Sequence, residues 1–263
     1  MNLQKMSNIS VVVVGSGNVA EAVAIAVGEC PQLDLCQVVA RNADRAAEVA
    51  RLSGTQWCAD LSGAADADLY IIAVSDRAVA EVAASLRRKE GSVVVHTAGS
   101  VEQSVLGNAG CGVLYPFQTF TAGRRVDFSA VPLFVEGVDE PTTLFIEQVA
   151  HMLSRRVCRA TSQCRREIHL TGVLSCNFVN ALYAMAADRL QGEGLSFDVL
   201  RPLIEETARK AVEADHPRRV QTGPAVRGDF SVAERHMAML GEGEKSEIYK
   251  LLTEYIWQTS KKI

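Results

Sequence analysis

The chain lacks most of the signals that announce a function. It has seven cysteines and five histidines but no Cys-x-x-Cys and no His-x-x-x-His pair. Zinc ribbons, thioredoxin-like redox motifs and helical two-histidine metal sites therefore lack their ligand spacing, and no metal is expected. The cysteine count is odd, which points away from a disulfide framework and toward reduced thiols in a cytoplasm. Basic residues are not in excess: 27 Lys and Arg stand against 31 Asp and Glu, a net charge of −4. With no basic stripe and only short clusters such as Arg87-Arg88-Lys89, nucleic acid is not an expected partner. No unbroken apolar stretch approaches the ~20 residues of a membrane span. The run Ile9–Val14 is too short for the apolar core of an export signal. The expectation is a cytoplasmic protein that does not enter a membrane.

What is present has the composition of a folded globular protein, 48% hydrophobic and 22% charged, long enough for two modest domains. Apolar runs that read as strands (9–14, 35–40, 55–58, 69–74, 92–96, 111–115 and 131–135) alternate with helical segments at 19–27, 43–52, 78–88 and 142–153. Strand–helix–strand repetition implies a parallel sheet with right-handed crossovers. After Ser162 strand signals disappear, and helices are expected over 167–190, 197–214 and twice more beyond Ser231. The predicted fold class is α/β. A Rossmann-type, doubly wound, mostly parallel sheet occupies residues 1–160, and a second, all-helical domain occupies 161–263.

The most informative stretch is Val14-Gly15-Ser16-Gly17-Asn18-Val19-Ala20, which follows the first strand and opens the first helix. This is the Gly-x-Gly-x-x-Ala form of the dinucleotide fingerprint. Gly15 permits the tight turn, Gly17 lets a pyrophosphate approach the backbone, and Ala20 allows close helix–strand packing. The N–H groups of the first helical turn, from Ser16 to Val19, would hold the phosphates. An NAD-binding site places Asp or Glu at the end of the second strand. Here that position reads Ala40-Arg41-Asn42. A guanidinium there pairs with a 2′-phosphate that a carboxylate would repel, so NADP is the expected cofactor, with Arg41 and Asn42 at its 2′-phosphate.

Ligands in such sheets bind beyond the carboxyl ends of the strands. Val74, Ser75 and Asp76 end one strand and are candidate cofactor residues, although Asp76 has an alternative use as a helix N-cap. His96, at the end of the strand before Thr97-Ala98-Gly99-Ser100, is either a proton donor or a hydrogen-bonded histidine that shapes the loop. Tyr115 opens Tyr-Pro-Phe-Gln-Thr-Phe and is a candidate wall of the substrate site. On the long apolar helix, His169 and Asn177 are eight residues apart, which on an ideal helix puts them within roughly 80° of each other. Arg227, in Thr222-Gly223-Pro224-Ala225-Val226-Arg227-Gly228-Asp229, is a candidate for an anionic substrate group, with Asp229 either fixing it or capping a linker.

Taken together, Gly-Ser-Gly-Asn-Val-Ala, Ala-Val-Ser-Asp, His-Thr-Ala-Gly-Ser, Tyr-Pro-Phe-Gln-Thr-Phe, the His169–Asn177 segment and Thr-Gly-Pro-Ala-Val-Arg-Gly-Asp resemble the Rossmann-like NADP oxidoreductases with a C-terminal helical domain of unknown function. That family is related to pyrroline-5-carboxylate reductase, ketopantoate reductase and the deazaflavin-dependent NADP reductases. The resemblance implies an NADP-binding α/β domain, a helical domain that often dimerises, and no particular substrate. Hydroxyacid-dehydrogenase relatives carry a Lys four residues before the helical Asn. Val173 stands at that position here, which leaves His169, or alternatively His96, to donate a proton, with Asn177 as orienter. The expectation is an NADP-dependent oxidoreductase, a homodimer, passing hydride between NADPH and a C=O or C=N carbon of a small, anionic metabolite. The alternative is a non-catalytic NADP-binding sensor.

Overall fold

The β-branched run that opens the chain becomes the middle of a sheet. In the computed structural model, which describes residues 8–261, β1 (Ile9–Val14) pairs in parallel with β2 (Leu33–Val39) on one side and β4 (Leu69–Ile72) on the other. Val11 to Val14 are at most 2% exposed. A strand covered on both faces needs apolar residues at every position rather than every second one, which is why the sequence here does not alternate. The remaining strands are β3 (Gln56–Cys58), β5 (Val93–His96), β6 (Cys111–Pro116), β7 (Leu133–Gly137) and β8 (Val157–Arg159). Their order is β3-β2-β1-β4-β5-β6-β7-β8, parallel throughout except for the antiparallel β6–β7 pair. The first six follow the doubly wound order, which reverses direction between β1 and β4.

Helices α1 (Asn18–Gly28), α2 (Ala43–Ser53), α3 (Val79–Ser85) and α4 (Glu140–Leu153) connect and cover the strands. Val11 and Val13 face one apolar cluster with Val23 and Val27 of α1 and Ile146 and Val149 of α4. Val12 and Val14 face a second with Tyr70, Ile72 and Val94. Two elements differ from the sequence expectation. α3 stops at Ser85, short of Arg88, and β8 was not anticipated. A three-residue edge strand is too short for a pattern to register; β8 exists because it pairs in parallel with β7.

The chain divides into two compact units, the first ending at Asn177 and the second beginning at Phe178. The division falls beyond the expected Arg159–Ser162 boundary because α5 (Ser162–Gly172) belongs with the sheet. The second unit is all-helical among the described residues: α6 (Phe178–Gly192), α7 (Arg201–Glu213), the short α8 (Pro224–Arg227), α9 (Phe230–Leu240) and α10 (Glu244–Ser260). Ala233 is its one fully buried residue among those described. Helical residues run without a break from Ser162 to Gly192, with an 18-residue window of mean hydropathy 1.3 that is 0% buried. By length and composition this helix is long enough to cross a membrane. The expectation counted unbroken apolar runs, and Thr171, Ser175, Asn177 and Asn180 interrupt the run here; length and composition alone do not place this helix in a membrane.

Candidate active site

A cavity of about 910 Å³ opens beyond the carboxyl ends of the strands, within the range of small-molecule and cofactor sites. Its floor is the switch between β1 and β4. Gly15 has φ +131°, and a Cβ there would overlap the carbonyl of Ala73 at the end of β4, so only glycine permits the two strand ends to close together. The position of a Cβ on Gly17, by contrast, has no heavy atom within 4 Å. Gly17 is the N-cap of α1 and its extended backbone offers no side-chain cap, so the first-turn N–H groups have no side-chain partner there. Open space in front of uncapped helical N–H groups is a cradle for an anion, and the turn fits a pyrophosphate.

All the cofactor candidates line this cavity: Gly15, Ser16, Gly17, Asn18 and Val19, then Arg41 and Asn42, then Val74, Ser75 and Asp76. Arg41 is exposed at the end of β2. Asn42 is the N-cap of α2, its Oδ1 accepting the Arg45 N–H at 3.1 Å. The guanidinium and the start of α2 therefore sit together with no carboxylate at that strand end, which fits the 2′-phosphate of NADP. The side chain of Asn18 has a further use, donating to the Phe120 carbonyl at 3.0 Å. One residue that sequence reasoning missed is Glu21, 5% exposed in the first turn of α1. It accepts from Arg45 at 2.6 Å and from the Gly123 N–H at 2.9 Å, fastening the 117–127 segment and α2 to the phosphate turn. A Glu in an apolar helix was the available signal, since a buried charge needs partners.

Across the sheet the cavity wall holds Tyr115 and His169. The Tyr115 hydroxyl is hydrogen-bonded to His169 Nδ1 at 3.1 Å. Gly99 makes room for the pair: a Cβ there would lie 2.6 Å from His169 Nδ1 and 2.9 Å from Tyr115 Cζ. Burial, reinforced by the negative charge of Asp76 and opposed by Arg165, pushes the Tyr115 phenol up to about 12, so near neutrality it keeps its proton. A neutral phenol linked to an imidazole is able to pass a proton to an atom in the cavity.

His96 is placed differently. It is 0% exposed and does not line the cavity. Its Nδ1 accepts the Ala98 N–H at 3.1 Å, and Nε2 faces the Glu102 carbonyl at 3.4 Å. Burial, followed by the charge of Arg165, lowers it to about 4 against the pull of Asp76 and Glu136. Through these two contacts it bridges the two ends of the Thr97–Glu102 loop. Asp76 caps no helix; its carboxylate accepts from the Ser100 hydroxyl.

Asn177 is exposed and does not line the cavity. The expected shared side with His169 assumed an unbroken α-helix. Val173–Asn177 forms a wider π turn that re-phases the residues after it. Arg227 ends α8 in the second unit, and Asp229 caps α9 by accepting the Val232 N–H at 3.3 Å. Among the described residues no cluster of His, Cys, Asp and Glu could hold a metal ion.

Residues 10–99 match the family model described as "NADP oxidoreductase coenzyme F420-dependent", and residues 131–256 match the domain of unknown function DUF2520. A Bacteroides fragilis protein, named as a putative NADP oxidoreductase, is 37% identical, with 96% of this chain and 99% of that one covered and a TM-score of 0.89. A Thermotoga maritima protein is 20% identical over 96% of this chain and 98% of its own, with a TM-score of 0.73. The Plasmodium falciparum pyrroline carboxylate reductase, solved with NADP bound, shares the fold at 11% identity over 97% and 98% of the two chains, with a TM-score of 0.59. No curated protein matches. By its identity over nearly the full length of both chains and by its two matched domains, the protein belongs to the NADP oxidoreductases that join an N-terminal NADP oxidoreductase domain to a C-terminal DUF2520 domain.

Proposed function

We propose that the protein reduces a C=O or C=N carbon of a small metabolite with NADPH, and that His169 acting with Tyr115 supplies the proton. The observation that carries this reading is the 3.1 Å Tyr115–His169 hydrogen bond on the wall of the cavity whose floor is the Gly15–Val19 turn. NADPH, when bound, supplies the hydride. The chain's residues do the rest. The Gly15–Val19 turn and the α1 N-terminus hold the pyrophosphate, and Arg41 with the start of α2 holds the 2′-phosphate. The Tyr115 hydroxyl meets the substrate oxygen or nitrogen and gives up its proton as that atom gains charge. His169 Nδ1–H returns a proton to the phenolate as Nε2 takes one from solvent, so the ring stays neutral and the costly tyrosinate need not persist. Asn177, exposed and outside the lining of this cavity, has no part in this scheme.

We also infer a second copy as partner, because α6 has no buried residue while Phe178 is 56% and Leu182 37% exposed. The seven free cysteines support a reducing cytoplasm.

The test is NADPH oxidation followed across a panel of 2-keto acids and cyclic imines. Wild type is expected to turn over at least one class. His169→Ala is expected to lose about 100-fold in kcat while binding NADPH as before. Tight NADPH binding with no turnover across the panel would favour a sensor, and undiminished turnover in His169→Ala would remove His169 as the proton source.

A further inference from the structure

Arg165 is the largest fully buried side chain in the described chain, 1% exposed, and the scheme above gives it no task. Its Nη1 donates to Glu136 Oε2 at 2.5 Å, and its Nη2 donates to the Val101 carbonyl and to Ser162 Oγ, the latter at 3.2 Å. Its Nε has no hydrogen-bond partner. A buried guanidinium with an unsatisfied donor, paired to a Glu136 side chain that is 22% exposed, is a poor device for stability, since an apolar side chain of the same volume fills such a space at less cost. What an ion pair does give is one discrete position.

That position matters because of where α5 lies. On the β6–β7 hairpin Val113 stands opposite Glu136 and Tyr115 opposite Phe134. Antiparallel partners, and residues two apart on a strand, share one face of the sheet. Glu136 and Tyr115 therefore lie along that face, and Phe117 follows one residue past the end of β6. On α5, Arg165, His169 and Gly172 follow at spacings of four and three, one stripe of a helix. The two rows meet rung by rung. Arg165 lies on Glu136 and His169 on Tyr115; Gly172 lies on Phe117, where a Cβ would come within 2.7 Å of the ring. The first step matches: the four helical residues from Arg165 to His169 rise ~6 Å, and the two strand residues from Val113 to Tyr115 span ~7 Å.

We propose that Arg165 is a positioning residue for the Tyr115–His169 pair: by locking α5 to Glu136 it sets how far along the hairpin the helix sits, and so brings the imidazole to the phenol. The same side chain steadies the loop that carries Gly99, through the Val101 carbonyl, beside the Gln103 N–H that donates to Ser162 Oγ at 3.2 Å. Neither role requires Arg165 to touch a ligand, and it does not line the cavity. The inference rests on the reading of Tyr115 and His169 as the proton source, but the registration itself is measurable without any substrate.

The experiment compares wild type, Arg165→Met, Arg165→Lys and Tyr115→Phe, full-length and loaded with NADP+, by ¹⁵N NMR of the labelled His169 ring. Tyr115→Phe gives the Nδ1 signal of an imidazole without its phenol partner. The expected result is that Arg165→Met, folded by circular dichroism and with unchanged NADPH affinity, moves to the Tyr115→Phe signal, and that Arg165→Lys lies between. In turnover, Arg165→Met is expected to lose ~10-fold or more in kcat with little change in KM. A folded Arg165→Met whose His169 signal matches wild type overturns the proposal. Should Arg165→Met fail to fold, Arg165→Lys decides it: a wild-type signal after loss of the fork to Glu136 and Val101 overturns it equally. A displaced signal with undiminished turnover would leave the registration standing and refute the proton-source reading instead.

Discussion

Gly99→Ala separates the Tyr115–His169 pair without altering either side chain. Gly99 is not among the glycines with positive φ, so alanine is compatible with the backbone and the effect is one of contact alone. The added Cβ would lie 2.6 Å from His169 Nδ1, where ordinary contact begins at 3.4 Å. The imidazole must retreat by about 0.8 Å, which stretches a hydrogen bond of 3.1 Å to roughly 3.9 Å, past the limit of a real one. The Tyr115 hydroxyl, which faces the cavity, then loses one hydrogen bond, at a cost of about 0.5–1.5 kcal/mol. For a chain of this size that corresponds to a fall in Tm of roughly 1–6 °C. The chemical cost is larger, because a misplacement near 1 Å in a reacting constellation costs about 100-fold in rate. The assay measures NADPH affinity by cofactor fluorescence, Tm by calorimetry and kcat on the best substrate of the panel. The expected pattern is a modest fall in Tm, near-normal affinity and a collapse in kcat. Wild-type kcat in a variant whose Tm has fallen would show that the pair is a packing contact and would refute the reasoning.

Three further outcomes follow from the same geometry. Arg41→Ala is expected to weaken NADPH by about 10–100-fold, the worth of charge-assisted hydrogen bonds, and to leave NADH unchanged; parallel titrations giving equal losses for both would remove Arg41 from the 2′-phosphate. His96 stays neutral in the folded protein down to about 4, against 6.5 when unfolded. As pH falls through 6.5 the unfolded chain takes up the proton first, so this group is expected to cost about 3 kcal/mol of stability between pH 6.5 and 4 and nothing above 6.5. Urea unfolding of wild type and His96→Asn at pH 7 and near pH 4.5 checks this, and an identical pH dependence in the two would contradict it. Glu21→Gln is expected to loosen the 117–127 segment, seen as faster amide exchange at Gly123; unchanged exchange would mean that the Asn18–Phe120 bond alone holds it.

The sheet was legible because its central strands leave no choice. Val11 to Val14 and Leu69 to Ile72 are apolar at every position, and such runs, each followed by a helical segment, fit the strands of a parallel sheet buried on both faces. The phosphate turn was legible for a related reason: glycine is demanded at Gly15 by the Ala73 carbonyl and left open at Gly17, and both demands appear in the sequence as glycine. The cavity wall was less legible. Tyr115 and His169 are 54 residues apart and meet only because α5 packs on the β6–β7 hairpin, which no local pattern reports. His96 looked like a candidate acid because titratable histidine and buried structural histidine are the same letter; burial and the nearby Arg165 decide which it is. Arg165 was invisible for the mirror-image reason. It sits beside the exposed Arg166 in a helix, and nothing in the local sequence says which of the two turns inward. The expected alignment of His169 with Asn177 failed at the π turn, a feature set by tertiary packing that an ideal helical wheel does not contain.

A crystal structure of the protein with NADP+ tests the central claim most directly. The account predicts the pyrophosphate on the Gly15–Val19 turn, the 2′-phosphate on Arg41, and the nicotinamide C4 facing the Tyr115–His169 pair with room for one substrate carbon about 3–3.5 Å away. A nicotinamide turned away from Tyr115 and His169, or a 2′-phosphate left in solvent without Arg41, would contradict it.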